Sequence, residues 1–270
     1  MDLTFLGTAA SEGCPSPFCD CDNCRRGRLA GERSWRARAA LLVNQDLLLD
    51  FGPDLVSSAA RLKLSLSALT TLLITHYHED HFHPHNLTIR DPKFSGEGLP
   101  LLHIYGGPRF SRLANKAWET PAQLAFEFHP VEPFQRFKSG PYEIRSFRAS
   151  HDPRVDPIFY SLSDGRRTFL YATDTGPPPA ETLEALGECR FNLVIVDDAM
   201  GAAQTTEGHL GDQGIVALRA EMEKRGLLAP EAPWLAHHFW HWHTPPHEEL
   251  VARLSPLGLI PAYDGMKLSL

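Results

Sequence analysis

The feature that most constrains this chain is the stretch Thr75-His76-Tyr77-His78-Glu79-Asp80-His81. It follows directly on Leu69-Thr70-Thr71-Leu72-Leu73-Ile74, an apolar, partly β-branched run that predicts a buried strand. Any fold must therefore deliver His76, His78, Asp80 and His81 together from one strand end. Neutral imidazole and carboxylate are the usual ligands of Zn²⁺ and similar divalent ions. Side chains on a short strand alternate between faces, so these four cannot share one face. They predict a loop wrapped around metal. The pattern His-x-His-x-Asp-His is far more specific than a chance cluster of solvated histidines.

The same passage from buried strand to ligand-type side chain recurs down the chain. Tyr142 to Ala149 alternates and leads to His151; Thr168 to Thr173 ends in Asp174; Phe191 to Val196 ends in Asp197-Asp198; Pro233 to Ala236 ends in His237-His238. In open sheets ligands gather at the carboxyl edge of the strands. His76, His151, Asp174 and His238 are thus expected to meet at one site. Further strands are predicted at Leu3 to Leu6, Ala39 to Val43, Asp46 to Asp50 and Leu101 to Tyr105. Helices are predicted at Asp54 to Leu64, Pro179 to Leu186, Asp212 to Gly226 and Pro246 to Leu254. Thr244-Pro245 stands as N-cap and first helical residue of the last. Residues 110–127 read as helical in part. Strands and helices alternate imperfectly, with hairpins near the N-terminus. This predicts an α/β (α+β) sandwich of two mixed sheets with helices outside. No composition break divides the chain, so one domain over residues 1–270 is expected.

A second cluster lies upstream, in Cys14-Pro15-Ser16-Pro17-Phe18-Cys19-Asp20-Cys21-Asp22-Asn23-Cys24. Cys19, Cys21 and Cys24 are close enough to bind one ion as thiolates. A tetrahedral site needs one more ligand, either Cys14 or a distant histidine. An odd total of 5 cysteines, clustered in this way, suits metal in a reducing compartment better than a disulfide framework. The N-terminus has no basic and apolar pattern of a signal peptide, and no apolar run approaches a membrane span, so a cytoplasmic protein is expected. The formal charge of -7 argues against a broad nucleic-acid-binding surface. Arg25, Arg26, Arg28, Arg33, Arg36 and Arg38 form a local basic run, either a solvated face or an anion-attracting rim. His83 and His85 flank Pro84 and read as residues behind the ligands or in a lid.

These residues resemble the metallo-β-lactamase superfamily over nearly the whole chain. The match rests on Thr75 to His81, with His151, Asp174 and His238 in the expected order. Within it, the three cysteines and the ending His238-Phe239-Trp240-His241 resemble the branch of the PhnP phosphodiesterase. The resemblance implies a four-layer αββα sandwich. It implies that His76, His78 and His151 hold one divalent ion, that Asp80, His81 and His238 hold a second, and that Asp174 bridges. It implies that Cys19, Cys21, Cys24 and His241 hold a structural Zn²⁺. The spacing to His241 favours His238 over His237. Asp80 and His209 would be the catalytic pair, His209 as general acid. Departures are the doubled His237, bulky Trp240 and His243, and the extra thiol of Cys14. The expected activity is hydrolysis of a small phosphodiester, cyclic ones included, by hydroxide generated between two ions (Zn²⁺, Mn²⁺ or Fe²⁺). Hydrolysis of a carboxylic ester, lactone or lactam is the alternative on the same site, and a non-catalytic carrier of the same fold the rival from another class. The expected partner is a small-molecule phosphodiester, with neither membrane nor nucleic-acid polymer; a homodimer is compatible with the sequence.

Overall fold

The computed structural model describes residues 1–109, 124–203 and 208–270. Two seven-stranded sheets face each other. The first contains β1 (Asp2–Gly7), β2 (Ala40–Val43), β3 (Leu47–Leu49), β4 (Thr71–Leu73), β5 (Leu102–Gly106), β6 (Phe126–Pro130) and β14 (Lys267–Ser269), in the order β14-β1-β2-β3-β4-β5-β6. The second contains β7 (Arg136–Ser139), β8 (Tyr142–Arg148), β9 (Ile158–Ser163), β10 (Thr168–Ala172), β11 (Leu193–Asp197), β12 (Trp234–His237) and β13 (Leu259–Pro261), in the order β13-β12-β11-β10-β9-β8-β7. The helices are α1 (Asp22–Leu29), α2 (Leu55–Arg61), α3 (Pro92–Ser95), α4 (Ala180–Leu186), α5 (Asp212–Lys224) and α6 (His247–Leu254).

Period-two alternation explains how three apolar layers arise from two sheets. On β11, Leu193 and Ile195 point inward to meet Leu3, Phe5, Leu49, Tyr160 and Tyr171 between the sheets. Val194 and Val196 point outward and are covered by Leu186 of α4, Ile215 and Met222 of α5, and Leu250 and Leu254 of α6. A strand buried on both faces must read as a continuous apolar run, as β11 does. The outer face of the first sheet packs Leu42, Leu48 and Leu72 against Leu55 and Leu87.

Direction places the functional loops. β10, β11, β12 and β13 are mutually parallel, and β8 and β10 are both antiparallel to β9. The ends of β8, β10, β11 and β12 therefore open on one edge. The first sheet is stitched to that edge by Ile158 N donating to Thr75 O, and by the Tyr160 hydroxyl donating to Ile74 O.

Several expectations need correction. Thr244 does not cap α6: Pro246 occupies that position, and the Thr244 hydroxyl donates instead to Trp240 O. α2 stops at Arg61, because Lys63 takes a left-handed φ of 56°. Of the stretch read as partly helical, residues 110–123 lie outside the described residues, and Phe126–Pro130 is strand, with Phe126 buried and Glu127 exposed. The loop expected around His83 and His85 is a 3-10 helix over Pro84–Arg90. The short edge strands β7, β13 and β14, the strand β9 and the helix α1 lacked a strong enough pattern to read. Among the described residues no helix is long and apolar enough to cross a membrane.

Candidate metal centre

The loop after β4 turns back on itself, with His81 N and Phe82 N both donating to His78 O. Gly52, leaving β3, lies so close that a Cβ would sit 2.1 Å from Asp80 O; no other residue lets the two segments pass. His76 Nε2 comes within 2.9 Å of His78 Nδ1 and 3.1 Å of Asp174 Oδ2. His151 Nε2 lies 3.3 Å from His78 Nδ1. On the other side, His81 Nε2 is 3.1 Å from Asp80 Oδ2, 2.9 Å from Asp174 Oδ2 and 3.3 Å from His238 Nε2. Besides the group of Asp174, Asp197, His209 and His238, two four-membered groups result: His76, His78, His151 and Asp174, and Asp80, His81, Asp174 and His238. Within each, the ligand atoms lie within 4.8 Å of one another. Asp174 Oδ2 faces both. Asp50, Asp174 and His238 hold left-handed φ of 63°, 55° and 57°, a strained backbone that clusters at functional sites.

The electrostatics of the cluster fit divalent cations. Asp50, Asp80, Asp174 and Asp197 are buried, and among the described residues none of them has an arginine or lysine ion pair. Burying carboxylates without compensation is costly. Asp174 Oδ1 is buried without a well-angled hydrogen bond, although His209 Nδ1 is 3.1 Å away. Burial pushes His76 down to about 4, helped by the neighbouring His81, so its lone pair is available for coordination. His238 goes the other way: burial opposes its charge, but the carboxylates of Asp174 and Asp197 raise it to about 10. The cluster draws positive charge.

Behind these side chains stand groups that sequence reasoning missed. Asp50 Oδ2 lies 2.9 Å from His81 Nδ1, while its Oδ1 accepts from Thr75 N and the Thr75 hydroxyl. Asp197 Oδ2 is hydrogen-bonded to His209 Nδ1 at 3.1 Å and lies 3.2 Å from His238 Nδ1, there without a well-angled hydrogen bond. Gly208 O, in a left-handed turn at φ 74°, lies 3.1 Å from His151 Nδ1. Such partners fix the tautomer and orientation of an imidazole. The signal was available, since Asp50 and Asp197 also stand at strand ends. Asp198 turns away to pair with Arg253.

His237 and His238 separate clearly. His237 is fully buried, with Nδ1 3.0 Å from the Thr173 hydroxyl and Nε2 3.1 Å from Gly7 O. Both its nitrogens are engaged away from the cluster. His209 stacks on His238 at 5.6 Å and is a quarter exposed. It faces a cleft of about 450 Å³ that is also lined by Glu12, His78, Asp80, His151, Met200 and Trp240. Burial resists protonation of His209, but Asp197 and Asp174 outweigh it and raise its pKa. His83, His85 and His243 stand outside these groups.

The three cysteines and His241 form a separate group. Cys24 Sγ lies 3.4 Å and Cys21 Sγ 3.9 Å from His241 Nδ1, and Cys19 Sγ accepts from Cys21 N. Cys21 caps α1, its sulfur accepting from Cys24 N. Of the two candidates for the fourth place, the structure brings in His241. Cys14 instead exchanges backbone hydrogen bonds with Arg36, and burial pushes its thiol up to about 11. Asn23 Nδ2 donates to His241 O and Trp242 O, tying α1 to the segment after β12.

The basic run divides. Arg25, Arg26 and Arg28 pair with Asp20, Asp22 and Glu249 on an exposed face. Arg38 pairs with Asp54. Arg36 is buried over the Phe239 ring and donates to the Thr8 hydroxyl. Arg33 lies over the Tyr263 ring, and the other five are paired or buried.

Comparison with known proteins returns the family described as "Beta-lactamase superfamily domain", whose profile matches residues 45–230. Ribonuclease Z of Thermococcus kodakarensis is 28% identical over 184 residues, covering 63% of this chain. The chain spans 57% of that relative's length. Ribonuclease Z of Thermococcus gammatolerans is 27% identical over 222 residues, covering 76% of this chain and 69% of that one. Among solved structures, a diphosphatase of the PhnP family superposes with a TM-score of 0.76 at 21% identity, covering 100% of this chain and 97% of that chain. Zn²⁺-bound PqqB from Methylobacterium extorquens gives 0.77 at 18% identity, with 100% of each chain covered.

Proposed function

The chain belongs to the beta-lactamase superfamily, and from that premise we propose that it is a metal-dependent hydrolase of phosphodiesters, with a small diester as substrate. The observation that carries the reading is the convergence on Asp174 Oδ2 of two donor groups from the ends of β4, β8, β10 and β12. His76, His78 and His151 would hold one divalent ion, Asp80, His81 and His238 the other, with Asp174 shared. Cys19, Cys21, Cys24 and His241 would hold a separate Zn²⁺. Paired divalent ions supply Lewis acidity for the phosphoryl oxygens and make water a nucleophile near neutral pH. The chain's own contribution is orientation and proton handling. Asp80 faces the cleft and would accept a hydrogen bond from the attacking water. His209, held by Asp197, would give its proton to the leaving oxygen. Glu12, Met200 and Trp240 bound the space left for the substrate.

A second reading, cleavage of a phosphodiester within RNA, is favoured by the curated relatives, which are named ribonuclease Z. The net charge of -7 favours the smaller substrate. A panel on protein whose metals have been counted separates the readings: bis(p-nitrophenyl) phosphate, cyclic nucleotides, a precursor tRNA with a 3′ trailer, and lactones. Turnover of small diesters, lost in Asp174→Ala, is the expected result. Turnover of the tRNA alone would select the ribonuclease reading, and of lactones alone the carboxylic-ester reading. Metal without turnover would mark a binding protein.

A further inference from the structure

A third donor cluster lies away from the strand ends. His103 on β5 is in register with Glu127 on the edge strand β6, and His129 follows Glu127 by two residues. Period-two alternation puts all three on one face of the sheet. His103 Nδ1 lies 3.0 Å from His129 Nε2. Glu127 Oε2 lies 3.7 Å from the first nitrogen and 3.9 Å from the second. A tetrahedral zinc with bonds of about 2.0–2.1 Å spaces its ligands by roughly 3.3–3.4 Å. The three observed separations straddle that value.

We propose that His103, Glu127 and His129 form a further metal site that takes an exchangeable Zn²⁺ and leaves one coordination position open to solvent. Two imidazoles and a carboxylate suit zinc, and three protein ligands rather than four are the mark of an open site. The frame is built. The Tyr105 ring stacks on His129 at 4.7 Å and on Phe137 at 4.6 Å, which pins the imidazole. Among the described residues Glu127 has no lysine or arginine partner. The site is distinct from the hydrolytic cluster. His103 is in register with Thr71, at the start of β4, five residues before His76, a span of roughly 16 Å at strand rise.

The test is equilibrium dialysis of the full chain, with its metals counted as purified, against buffered free Zn²⁺. Wild type, His103→Ala, His129→Ala and Glu127→Gln are compared at equal free zinc. Wild type is expected to bind one equivalent more than either alanine variant, and Glu127→Gln to need at least tenfold more zinc for that equivalent. Equal counts in wild type and alanine variants would overturn the site. Because the readout is a difference between variants, it stands whatever the other clusters hold. Should an alanine variant fail to fold, Glu127→Gln still decides: an unchanged zinc affinity would refute the assignment.

Discussion

Asp197 joins His209 and His238, the proposed proton donor and a proposed metal ligand, lying 3.1 Å and 3.2 Å from their Nδ1 atoms. Removing such a partner costs about 10–100-fold in metal affinity or activity. Asp197→Asn is expected to fall in that range while keeping its secondary structure, read by activity and circular dichroism; full activity would make the carboxylate a bystander. His209→Ala is expected to lower turnover by about 10²–10⁴-fold with metal content unchanged. Its nearness to Asp174 Oδ1 gives the alternative, since equal loss of metal would move His209 into the coordination set. The adjacent histidines divide by the same logic. His237→Ala empties a buried pair of hydrogen bonds and should cost about 1–3 kcal/mol of stability without loss of metal. His238→Ala should lose metal first. Metal analysis and thermal melts of the two variants check the assignment, and the reverse pattern would exchange their roles.

At the scale of elements, the carboxyl ends of β4, β8, β10 and β12 carry the cluster; β4, β10 and β12 were legible as apolar runs, the mark of strands buried on both faces, and β8 by its alternation. The exposed edge strands β7 and β14 were not, since solvent on one side removes that constraint. Asp50 and Asp197 were visible as strand-terminal carboxylates but could not be ranked above Asp198. Only the three-dimensional turn sends Asp198 to Arg253 and Asp197 to the histidines. The α6 cap was misread because the helix begins at His247, two residues later than the Thr244-Pro245 pair implied, which leaves Thr244 outside it with its hydroxyl donating to Trp240 O. Helix α1 was hidden under its cysteines and arginines, yet it is the element that binds the N-terminal loop to the segment after β12. Cys21→Ser is therefore expected to lose one zinc per chain and to melt earlier, by roughly 4–8 °C if the loss is about 2 kcal/mol. Activity at low temperature should persist. Unchanged zinc and melting temperature would remove the structural site.

At the scale of the whole molecule, two sheets joined by their packed inner faces and by hydrogen bonds at one edge bring residues from Asp50 to His238 together there. The convergence of these residues on one edge was legible in the sequence; their division into two ligand groups with a common carboxylate came from the family resemblance and stays a proposal, supported by Asp174 Oδ2 lying 3.1 Å from His76 and 2.9 Å from His81. If Asp174 is shared as proposed, two ions would be held on either side of its carboxylate. Anomalous diffraction from crystals of the zinc- or manganese-loaded chain tests it most directly. The account predicts two strong peaks flanking Asp174, one beside His76, His78 and His151 and one beside Asp80, His81 and His238. A map with no peak within coordination distance of Asp174, from protein shown to carry metal, would contradict it.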